Sequence, residues 1–345
     1  MMQSMMLTGI RQMESRPLAE PEIRNPSDVK IKMKVVGVCG SDIHYYVHGK
    51  IGSQVVEYPF PVGHECAGEV VSVGSEVRGV RPGDRIAVEP AMPCFACDQC
   101  QAGRPHTCRH LRFLGCPGQA DGCLSEYLVI PESSCFPIPE TMTWDEAALS
   151  EPLAIGLYAV KQSVPMAGLR IGILGFGPIG MSVLLAARAE GAAAELITDK
   201  IDQRLDRARN LSVDWAGNPD QEDVVQAILQ REPQGLDVVF ECCGQQEAMD
   251  QAVDILKPGG KIMIVGIPQI ERWSFHVDKL RHKEITLGNV RRQNHTLEET
   301  LEGIASRRLD ARPMVTHRFP FAATKQAFDL VAGYEQGVMK AMVDF

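Results

Sequence analysis

The chain has 345 residues, 45% hydrophobic and 23% charged, an ordinary balance for a globular protein with room for two domains. A formal net charge of −9 argues against nucleic acid or an anionic membrane as the main partner, because both need clustered Lys and Arg. No apolar run is long enough to cross a bilayer, and the N-terminal residues do not read as a signal peptide. We therefore expect a cytoplasmic protein without a disulfide framework, and closely spaced cysteines among its eleven are more typical of metal binding or catalysis.

The first 150 residues favour a β domain. Short alternating runs are separated by Gly and Pro turns, which is typical of an antiparallel, barrel-like sheet; they read VKIKMKVVGV, ECAGEVVSVG, DRIAVEP and LSEYLVI. The first run leads into VCGSDIHYY, where a cysteine, a serine, an aspartate and a histidine fall within six positions. Taken alone, this stretch is compatible with an ordinary polar turn that holds a buried thiol.

The segment CFACDQCQAGRPHTC carries Cys94, Cys97, Cys100 and Cys108. Cys94, Cys97 and Cys100 form two overlapping C-x2-C pairs, and with Cys108 after seven further residues they suit the tetrahedral four-thiolate geometry of zinc. An iron–sulfur cluster is less consistent with the spacing, because its usual fourth cysteine lies three residues on and precedes a proline. Four cysteine ligands leave no open coordination position, so the spacing predicts a structural zinc site, and catalysis must lie elsewhere.

Three weaker signals suggest a second metal site that is open. Cys39 ends the first strand, His64 and Glu65 stand in PVGHECAGEV, and Glu151 precedes a proline expected to open the apolar helix LAIGLYAV. A thiolate, an imidazole and a carboxylate make a three-ligand set with room for water or substrate. Each residue also has an ordinary alternative: His64 as a loop residue and Glu151 as a partner of the helix N-terminus.

The middle of the chain predicts a dinucleotide-binding domain. In LRIGILGFGPIGMSVLLAARAEGA, the glycines Gly175, Gly177 and Gly180 form G-x-G-x-x-G between an apolar strand and a helix, as pyrophosphate binding requires. The next strand ends at Asp199, whose carboxylate would accept the ribose 2′-hydroxyl and so favours NAD over NADP. Arg204 could instead neutralise a 2′-phosphate, or it could be a solvated residue of the helix IDQRLDRARN.

Further alternation of strands and helices follows this motif. LDVVFEC, GGKIMIVGI and EITLGNV read as buried strands and QEAMDQAVDIL as a helix, which predicts a doubly wound parallel sheet. Cys242 and Cys243 have no candidate metal partners nearby and are interpreted as small core residues.

Taken in order, these motifs are similar to those of the zinc-dependent medium-chain alcohol dehydrogenases, and within them the sorbitol (polyol) dehydrogenases. The matching stretches are CGSDIHYYVHGKIG, GHECAGEV, GDRIAVEP, the four-cysteine loop, SEPLAI, GFGPIG, KPGGKIMIVG and GNVRRQN. The resemblance implies an α/β protein with a GroES-like β-barrel catalytic domain, residues 1–153 completed by 291–345, and a Rossmann doubly wound parallel-sheet domain, residues 154–290. The active site is expected in the cleft between them, and a homo-oligomer, tetramer or dimer, is expected.

The resemblance also implies roles for individual residues. A catalytic zinc is expected on Cys39 and His64, with Glu65 or Glu151 as the carboxylate; a second zinc on the four-cysteine loop makes two per chain. Ser41 would take the proton of the alcohol and His44 would pass it to solvent, while Tyr45 and Arg291 would orient the polyol. Asp42 is interpreted either as the residue that orients His64 or as a turn residue. The cofactor NAD is expected to contact Gly175, Gly177, Pro178, Ile179, Gly180, Asp199, Arg204, Val265, Gly266, Ile267, Asn289, Val290 and Arg291.

The sequence departs from the polyol branch at one informative position. An Arg-Tyr pair is common in the segment that here reads Arg291-Arg292, and the extra charge would suit a substrate with an acid or a phosphate, although Arg292 could simply be solvated. The expected reaction is oxidation of a secondary hydroxyl of a polyol to a ketone. Alternatives are the same chemistry on a sugar acid, threonine or a simple secondary alcohol, and a non-catalytic protein that binds zinc and NAD.

Overall fold

The computed structural model describes all 345 residues. The chain divides into two compact units: a first unit formed by Met1–Glu151 and Leu297–Phe345, and a second unit formed by Pro152–Thr296. None of the helices combines the length and the apolar character that crossing a membrane requires.

The first 162 residues contain twelve strands and three helices. In chain order these are β1 (Met2–Gly9), β2 (Gln12–Leu18), β3 (Asp28–Gly37), α1 (Gly40–His48), β4 (Lys50–Ile51), β5 (Gln54–Val55), β6 (Phe60–Pro61), β7 (Glu65–Val73), β8 (Arg85–Val88), β9 (Ala91–Met92), α2 (Asp98–Gln101), β10 (Arg112–Phe113), β11 (Tyr127–Pro131), β12 (Cys135–Pro137) and α3 (Trp144–Gln162).

The rest of the chain alternates strands and helices. The elements are β13 (Arg170–Leu174), α4 (Pro178–Ala189), β14 (Ala194–Thr198), α5 (Asp202–Asn210), β15 (Trp215–Gly217), α6 (Val224–Arg231), β16 (Leu236–Glu241), α7 (Gln246–Ile255), β17 (Leu256–Ile264), α8 (Val277–His282), β18 (Thr286–Asn289), α9 (Leu297–Ala305), β19 (Val315–Pro320), α10 (Thr324–Ala332) and β20 (Lys340–Asp344).

The first unit is built on a seven-stranded sheet. Its order is β12-β8-β7-β3-β20-β19, with β11 also paired to β3. The pairs are antiparallel, as the alternating runs predict, except that β19 and β20 run parallel. Alternate residues of β3, among them Val29, Ile31 and Met33, are fully buried and pack into one apolar cluster. In the pairing of β3 with β7, Gly37 lies opposite Glu65, so the residues that follow β3 lie close to the start of β7.

Two helices, α1 and α3, differ from the sequence interpretation. VCGSDIHYY is not a turn: Cys39 caps the N-terminus of α1, and the Asp42 side chain accepts a hydrogen bond from the Cys39 backbone N–H. Pro152 does not open a helix but lies inside α3, so Glu151 is in the interior of that helix. An internal proline costs about 3 kcal/mol, and the buried residues on both sides of it, Leu149 and Leu153 among them, offset that cost.

The second unit contains a six-stranded parallel sheet in the order β15-β14-β13-β16-β17-β18. The order reverses between β13 and β16, which is the arrangement of the doubly wound dinucleotide-binding fold. Apolar residues of β16, β17 and α7, including Val239, Ile262 and Met249, form one of its buried clusters. The predicted parallel-sheet domain is therefore confirmed.

Candidate metal centres and dinucleotide site

The four cysteines of the loop converge. The Sγ atoms of Cys94, Cys97, Cys100 and Cys108 all lie within 4.8 Å of one another. The Sγ of Cys97 is 3.7 Å from that of Cys100 and 3.8 Å from that of Cys108. The donor set fits a metal that prefers four thiolates, which is the chemistry of structural zinc.

Backbone N–H groups favour the thiolate form of two cysteines in this loop. The N–H groups of Arg109 and Cys100 lower the pKa of Cys97 to about 6, and those of Ala96 and Cys97 lower the pKa of Cys94. Burial, by contrast, raises the pKa of Cys100 to about 12. The Arg109 guanidinium binds both carboxylate oxygens of Asp98 at 2.5 and 2.8 Å, which ties α2 to the chain beyond Cys108. Sequence reasoning did not single out this pair.

A second candidate set lies at the ends of β3 and β7. The ligand atoms of Cys39, His64 and Glu65 lie within 4.8 Å of one another, and both His64 and Glu65 are buried. The β3–β7 register explains the convergence, because Glu65 pairs with Gly37, two residues before Cys39. One sulfur, one nitrogen and one carboxylate suit an open zinc site with room for a further ligand. The structure thus brings Glu65, rather than Glu151, into this three-residue set.

Asp42 holds this second set in shape. Its Oδ2 accepts the Cys39 backbone N–H at 3.2 Å, and its Oδ1 accepts the Gly63 N–H at 3.2 Å and lies 3.3 Å from His64 Nδ1. The contact to Nδ1 leaves Nε2 of His64 for a metal. Although burial opposes the charge, Asp42 and the Cys39 thiol raise the pKa of His64 well above its usual value. Asp42 is fully buried, which disfavours its interpretation as a simple turn residue.

Glu65 has a partner that sequence reasoning missed. Lys340 of β20 binds both carboxylate oxygens of Glu65 at 2.7 and 2.6 Å, and each side chain is only 1% exposed. Burial opposes the charge of Lys340, yet Glu65 and Cys39 raise its pKa. The signal was present, since Lys340 is the one charged residue of an otherwise apolar strand core, KAMV.

Glu151 lies near this set without joining it. The side chain is buried, and burial raises its pKa to about 8; the Glu65 and Glu89 carboxylates act in the same direction, while His64 opposes them. A neutral carboxyl at this place would become a charged one as soon as a cation arrived. Glu151 can therefore act as a ligand or as a second negative charge beside a bound metal.

Ser41, His44 and Tyr45 project from α1. The Ser41 hydroxyl lies 3.4 Å from Cys39 Sγ. His44 is half-buried, and burial and the neighbouring His48 lower its pKa; the two imidazole centroids are 5.9 Å apart. Burial raises the pKa of Tyr45, so its hydroxyl stays neutral. Because Ser41 and His44 are three residues apart on the helix, they share a face.

The glycine motif has the geometry of a dinucleotide site. Gly175 has φ +96°, and a Cβ on it would lie 2.7 Å from the Cβ of Cys243. Gly177 caps the N-terminus of α4, Pro178 and Ile179 open that helix, and a Cβ on Gly180 would lie 2.1 Å from the Gly175 carbonyl oxygen. Only glycine fits these close approaches, which form the tight turn from β13 into α4 that a dinucleotide site requires.

Asp199 and Arg204 lie beside this loop. The Asp199 carboxylate accepts the Phe176 N–H at 2.6 Å and the Ile201 N–H at 2.8 Å. Arg204 is buried rather than solvated: its Nη1 is 3.9 Å from Asp199, and a Cβ on Gly177 would lie 3.3 Å from that atom. Both residues are therefore part of the loop's immediate surroundings.

The other candidate cofactor residues follow β17 and β18. Val265 and Gly266 donate their N–H groups to the Glu241 carbonyl oxygen at 2.8 and 2.9 Å, with Ile267 next, and Val290 donates to Ile264. Asn289 ends β18, and Arg291 is exposed beyond it. These positions lie at the carboxyl end of the sheet, where ligands of this fold bind.

Cys243 was not interpreted correctly from the sequence, and Glu241 was not singled out there. Glu241 is fully buried, and its Oε1 accepts the N–H groups of Cys243 and Gly244 at 2.8 and 2.6 Å. Cys243 is exposed, so it is not a core residue as predicted. The buried acid turns the chain sharply after β16 and carries Cys243 to the surface beside Gly175.

Comparison with known proteins gives a consistent answer. Residues 25–140 match the alcohol dehydrogenase GroES-like domain family, and residues 178–306 match the zinc-binding dehydrogenase family. The chain is 34% identical to a sorbitol dehydrogenase of Bacillus subtilis over 99% of this chain and 97% of the relative. It is also 34% identical to an L-idonate 5-dehydrogenase of Vitis vinifera, over 94% and 90%.

A solved structure agrees over the whole length. A putative zinc-binding dehydrogenase of Sinorhizobium meliloti, bound to NADP, is 30% identical, with a TM-score of 0.91 over 100% of this chain and 99% of that one. The predicted combination of a GroES-like domain with a Rossmann-type domain is thereby confirmed, as are zinc as a cofactor and the prediction of an enzyme. The chain belongs to the zinc-binding, GroES-like alcohol dehydrogenase family and is an oxidoreductase.

Proposed function

We propose that the protein oxidises a secondary hydroxyl of a polyol to a ketone and passes the hydride to NAD. The observation that carries this proposal is the three-residue set of partly buried Cys39 and buried His64 and Glu65, with Ser41 beside it. The sorbitol dehydrogenase of Bacillus subtilis, similar over nearly the whole chain, supports the choice of a polyol.

The metal site is assigned to Cys39, His64 and Glu65, with Glu151 as a nearby charge. A zinc ion held there supplies a Lewis acid that lowers the pKa of the substrate hydroxyl. Asp42 fixes the orientation of the imidazole, and Lys340 fixes the carboxylate of Glu65. Such contacts limit the freedom of the ligands before the metal binds.

The proton of the alcohol leaves through α1. Ser41 accepts it, and His44, whose pKa is lowered by burial, is neutral at pH 7 and can take it onward. His48, one turn further along α1, is exposed to solvent. Removing this proton yields the alkoxide from which hydride can depart.

NAD is assigned to the second unit, where the glycine loop and Asp199 would hold it, and its nicotinamide ring would supply the hydride acceptor. Asp199 at the end of β14 supports NAD, because a carboxylate accepts the ribose 2′-hydroxyl and repels a 2′-phosphate. Arg204 within 3.9 Å of Asp199 weakens that repulsion, and the Sinorhizobium relative is bound to NADP. NAD and NADP should therefore be compared directly as cofactors.

A sugar acid is the second candidate substrate. Arg291 and Arg292 follow β18 as a pair of positive charges, and two guanidinium groups can bind a carboxylate or a phosphate. The Vitis relative is named for a sugar acid, L-idonate. Neutral polyols and sugar acids differ by one charge, so a panel of substrates separates the two proposals.

The test is reduction of NAD by zinc-loaded protein. Sorbitol, xylitol, galactitol, a sugar acid, threonine and 2-butanol are compared before and after chelation, and each with NADP in place of NAD. Turnover of neutral polyols that disappears on chelation and returns with zinc is the expected result. Turnover of the sugar acid alone would favour the second candidate, and turnover of none would refute both.

A homo-oligomer, dimer or tetramer, is also proposed from the resemblance to this family. Light scattering of the zinc-loaded protein measures its mass directly. A mass equal to that of one 37.9-kDa chain at micromolar concentration would contradict the proposal.

A further inference from the structure

The hydroxyl of Tyr45 is held by a residue to which no role has been given so far. Tyr45 is 4% exposed, and its hydroxyl donates a hydrogen bond to Gln54 Oε1 at 3.0 Å. The Sγ of buried Cys116 lies 3.8 Å from the same hydroxyl. A tyrosine hydroxyl has one proton, so donation to Gln54 leaves the lone pairs of its oxygen as acceptors.

The local fold brings Gln54 back over α1. Gly49 ends that helix with φ +69°, and a two-residue hairpin follows in which Ile51 pairs with Gln54. The Val56 N–H donates to the Gly49 carbonyl at 2.8 Å, which closes the hairpin against the end of the helix. Gln54 is therefore set by backbone hydrogen bonds rather than left on a free loop.

The segments that carry these groups also contact the metal set. Tyr45 lies on α1, the helix that Cys39 caps. The ring of Phe113 lies tilted against that of His64, with the centroids 5.2 Å apart, and Cys116 follows three residues later. Burial is the main reason that the pKa of Tyr45 is raised; Cys116, and then Asp42 and Cys39, act in the same direction.

The chemistry of this cluster is recognition of a hydroxyl. Tyr45 stays protonated, so it cannot serve as a base; its oxygen can accept one hydrogen bond from a substrate. With Oε1 occupied, the Gln54 amide can offer N–H donors to the same partner. A second hydroxyl on the substrate can donate to the Tyr45 oxygen and accept from the Gln54 amide. A simple secondary alcohol has no second hydroxyl.

We propose that Gln54 is a specificity-determining positioning residue that acts through Tyr45. By accepting the Tyr45 proton, Gln54 turns the tyrosine oxygen into a fixed acceptor for a hydroxyl next to the carbon that is oxidised. The site then selects polyhydroxylated substrates over simple alcohols. This inference rests on the proposed function, and it applies to neutral polyols and sugar acids alike.

The test is a double-mutant cycle of Gln54→Leu and Tyr45→Phe. Loss of one well-placed hydrogen bond in Gln54→Leu is expected to raise KM for the preferred polyol about tenfold and to change kcat less than about twofold. The ratio of kcat/KM for polyol over 2-butanol should then fall about tenfold. In the Tyr45→Phe background, Gln54→Leu should have no further effect, because its target has gone.

Controls separate this role from a structural one. Ser53→Ala changes the adjacent exposed residue of the same hairpin and should leave the substrate ratio unchanged. Equal losses for polyol and 2-butanol in Gln54→Leu, or additive effects in the double variant, would overturn the inference. An unchanged melting temperature of the variants confirms that they are folded.

Binding distinguishes failure of this inference from failure of the proposed function. Calorimetry gives the Kd of the polyol for zinc-loaded protein with reduced cofactor, where no turnover occurs. A wild-type protein that binds polyol about tenfold better than Gln54→Leu supports the inference even if no alcohol is oxidised. A wild-type protein that binds or oxidises 2-butanol as well as the polyol overturns it.

Discussion

The two candidate metal sets belong to the same unit but differ in almost every physical respect. The four-cysteine set comes from one segment of fifteen residues, and three of its four ligands are partly exposed. The Cys39, His64 and Glu65 set comes from the ends of two strands, and His64 and Glu65 are buried. The first has only sulfur donors; the second mixes sulfur, nitrogen and oxygen.

The sets also balance charge in different ways. Backbone N–H groups stabilise the thiolates of Cys94 and Cys97, whereas burial raises the pKa of Cys100; no charged side chain contributes to these shifts. In the buried set, Asp42 and Lys340 supply a fixed negative and a fixed positive charge. A closed site can therefore be made locally, whereas an open site needs surrounding residues that hold its ligands while one coordination position stays available.

The largest effect is expected from His64→Ala. Losing one of three ligands should remove one of two zinc ions per chain and lower kcat at least about a thousandfold, because the Lewis acid is lost. The measurements are zinc per chain by atomic absorption and steady-state turnover. His282→Ala, at an exposed histidine, is the matched control. Full activity with one zinc would mean that the loop, not this set, carries catalysis.

The opposite pattern is expected from Cys100→Ser. It should also remove one zinc ion, but it should lower the melting temperature by about 10 °C while kcat per folded molecule falls less than about threefold, since a closed site holds the fold and not the substrate. Calorimetry and zinc analysis of the same preparation measure both. Cys243→Ser, at an exposed cysteine, should keep two zinc ions. A loss of turnover equal to that of His64→Ala would abolish the distinction between the sets.

The sequence predicts these two sets unequally well. The cysteine spacing between Cys94 and Cys108 identifies the first set completely, because its ligands need only a local loop. For the second set, nothing local relates Cys39 to His64; their proximity depends on the pairing of Gly37 with Glu65 across β3 and β7. The motifs around Cys39 and His64 predicted a metal site only when they were considered together with the other motifs in their order along the chain.

Other features were missed for the same physical reason. Lys340 is separated from Glu65 by 275 positions, so no pattern within β20 names its partner. α1 was not predicted, because Cys39 and Asp42 cap it with side chains that are equally common in turns. The position of Pro152 inside α3 reflects burial on both sides of it, which the local preference of proline does not include.

Lys340→Met tests whether the buried set depends on its counter-charge. Without Lys340, metal-free protein would hold the Glu65 carboxylate unpaired in the interior, which costs about 3–5 kcal/mol. Bound zinc would compensate the same charge, so the melting temperature of zinc-loaded protein should fall less than that of metal-free protein. Zinc affinity should rise accordingly, measured by the rate of metal loss to a chelator. Equal destabilisation in both states would show that Lys340 is structural only.

Glu151→Gln has the smallest expected effect and tests whether this buried carboxyl is neutral when no metal is bound. Burial raises the pKa of Glu151 from 4.5 in the unfolded chain to about 8, so its stabilising contribution is complete below pH 4.5 and is lost as pH rises through 8. In metal-free protein, Glu151→Gln should therefore leave the melting temperature unchanged at pH 5 and raise it about 5 °C at pH 9. Zinc should cancel this gain, because a cation favours the carboxylate.

The matched control for Glu151→Gln lies on the same helix. Burial of Glu146 would raise its pKa, but the Thr143 N–H and Arg307 more than offset this and lower it. The contribution of Glu146 is therefore present above pH 4.5 and lost as pH falls, so Glu146→Gln should destabilise metal-free protein at pH 9 and have less effect in acid. At pH 9 the melting temperature should rise in Glu151→Gln and fall in Glu146→Gln. Opposite changes at two buried glutamates five residues apart would show that neighbouring groups, and not burial alone, determine the charge of each. A gain for Glu151→Gln that persists with zinc bound would instead exclude Glu151 as a partner of the metal.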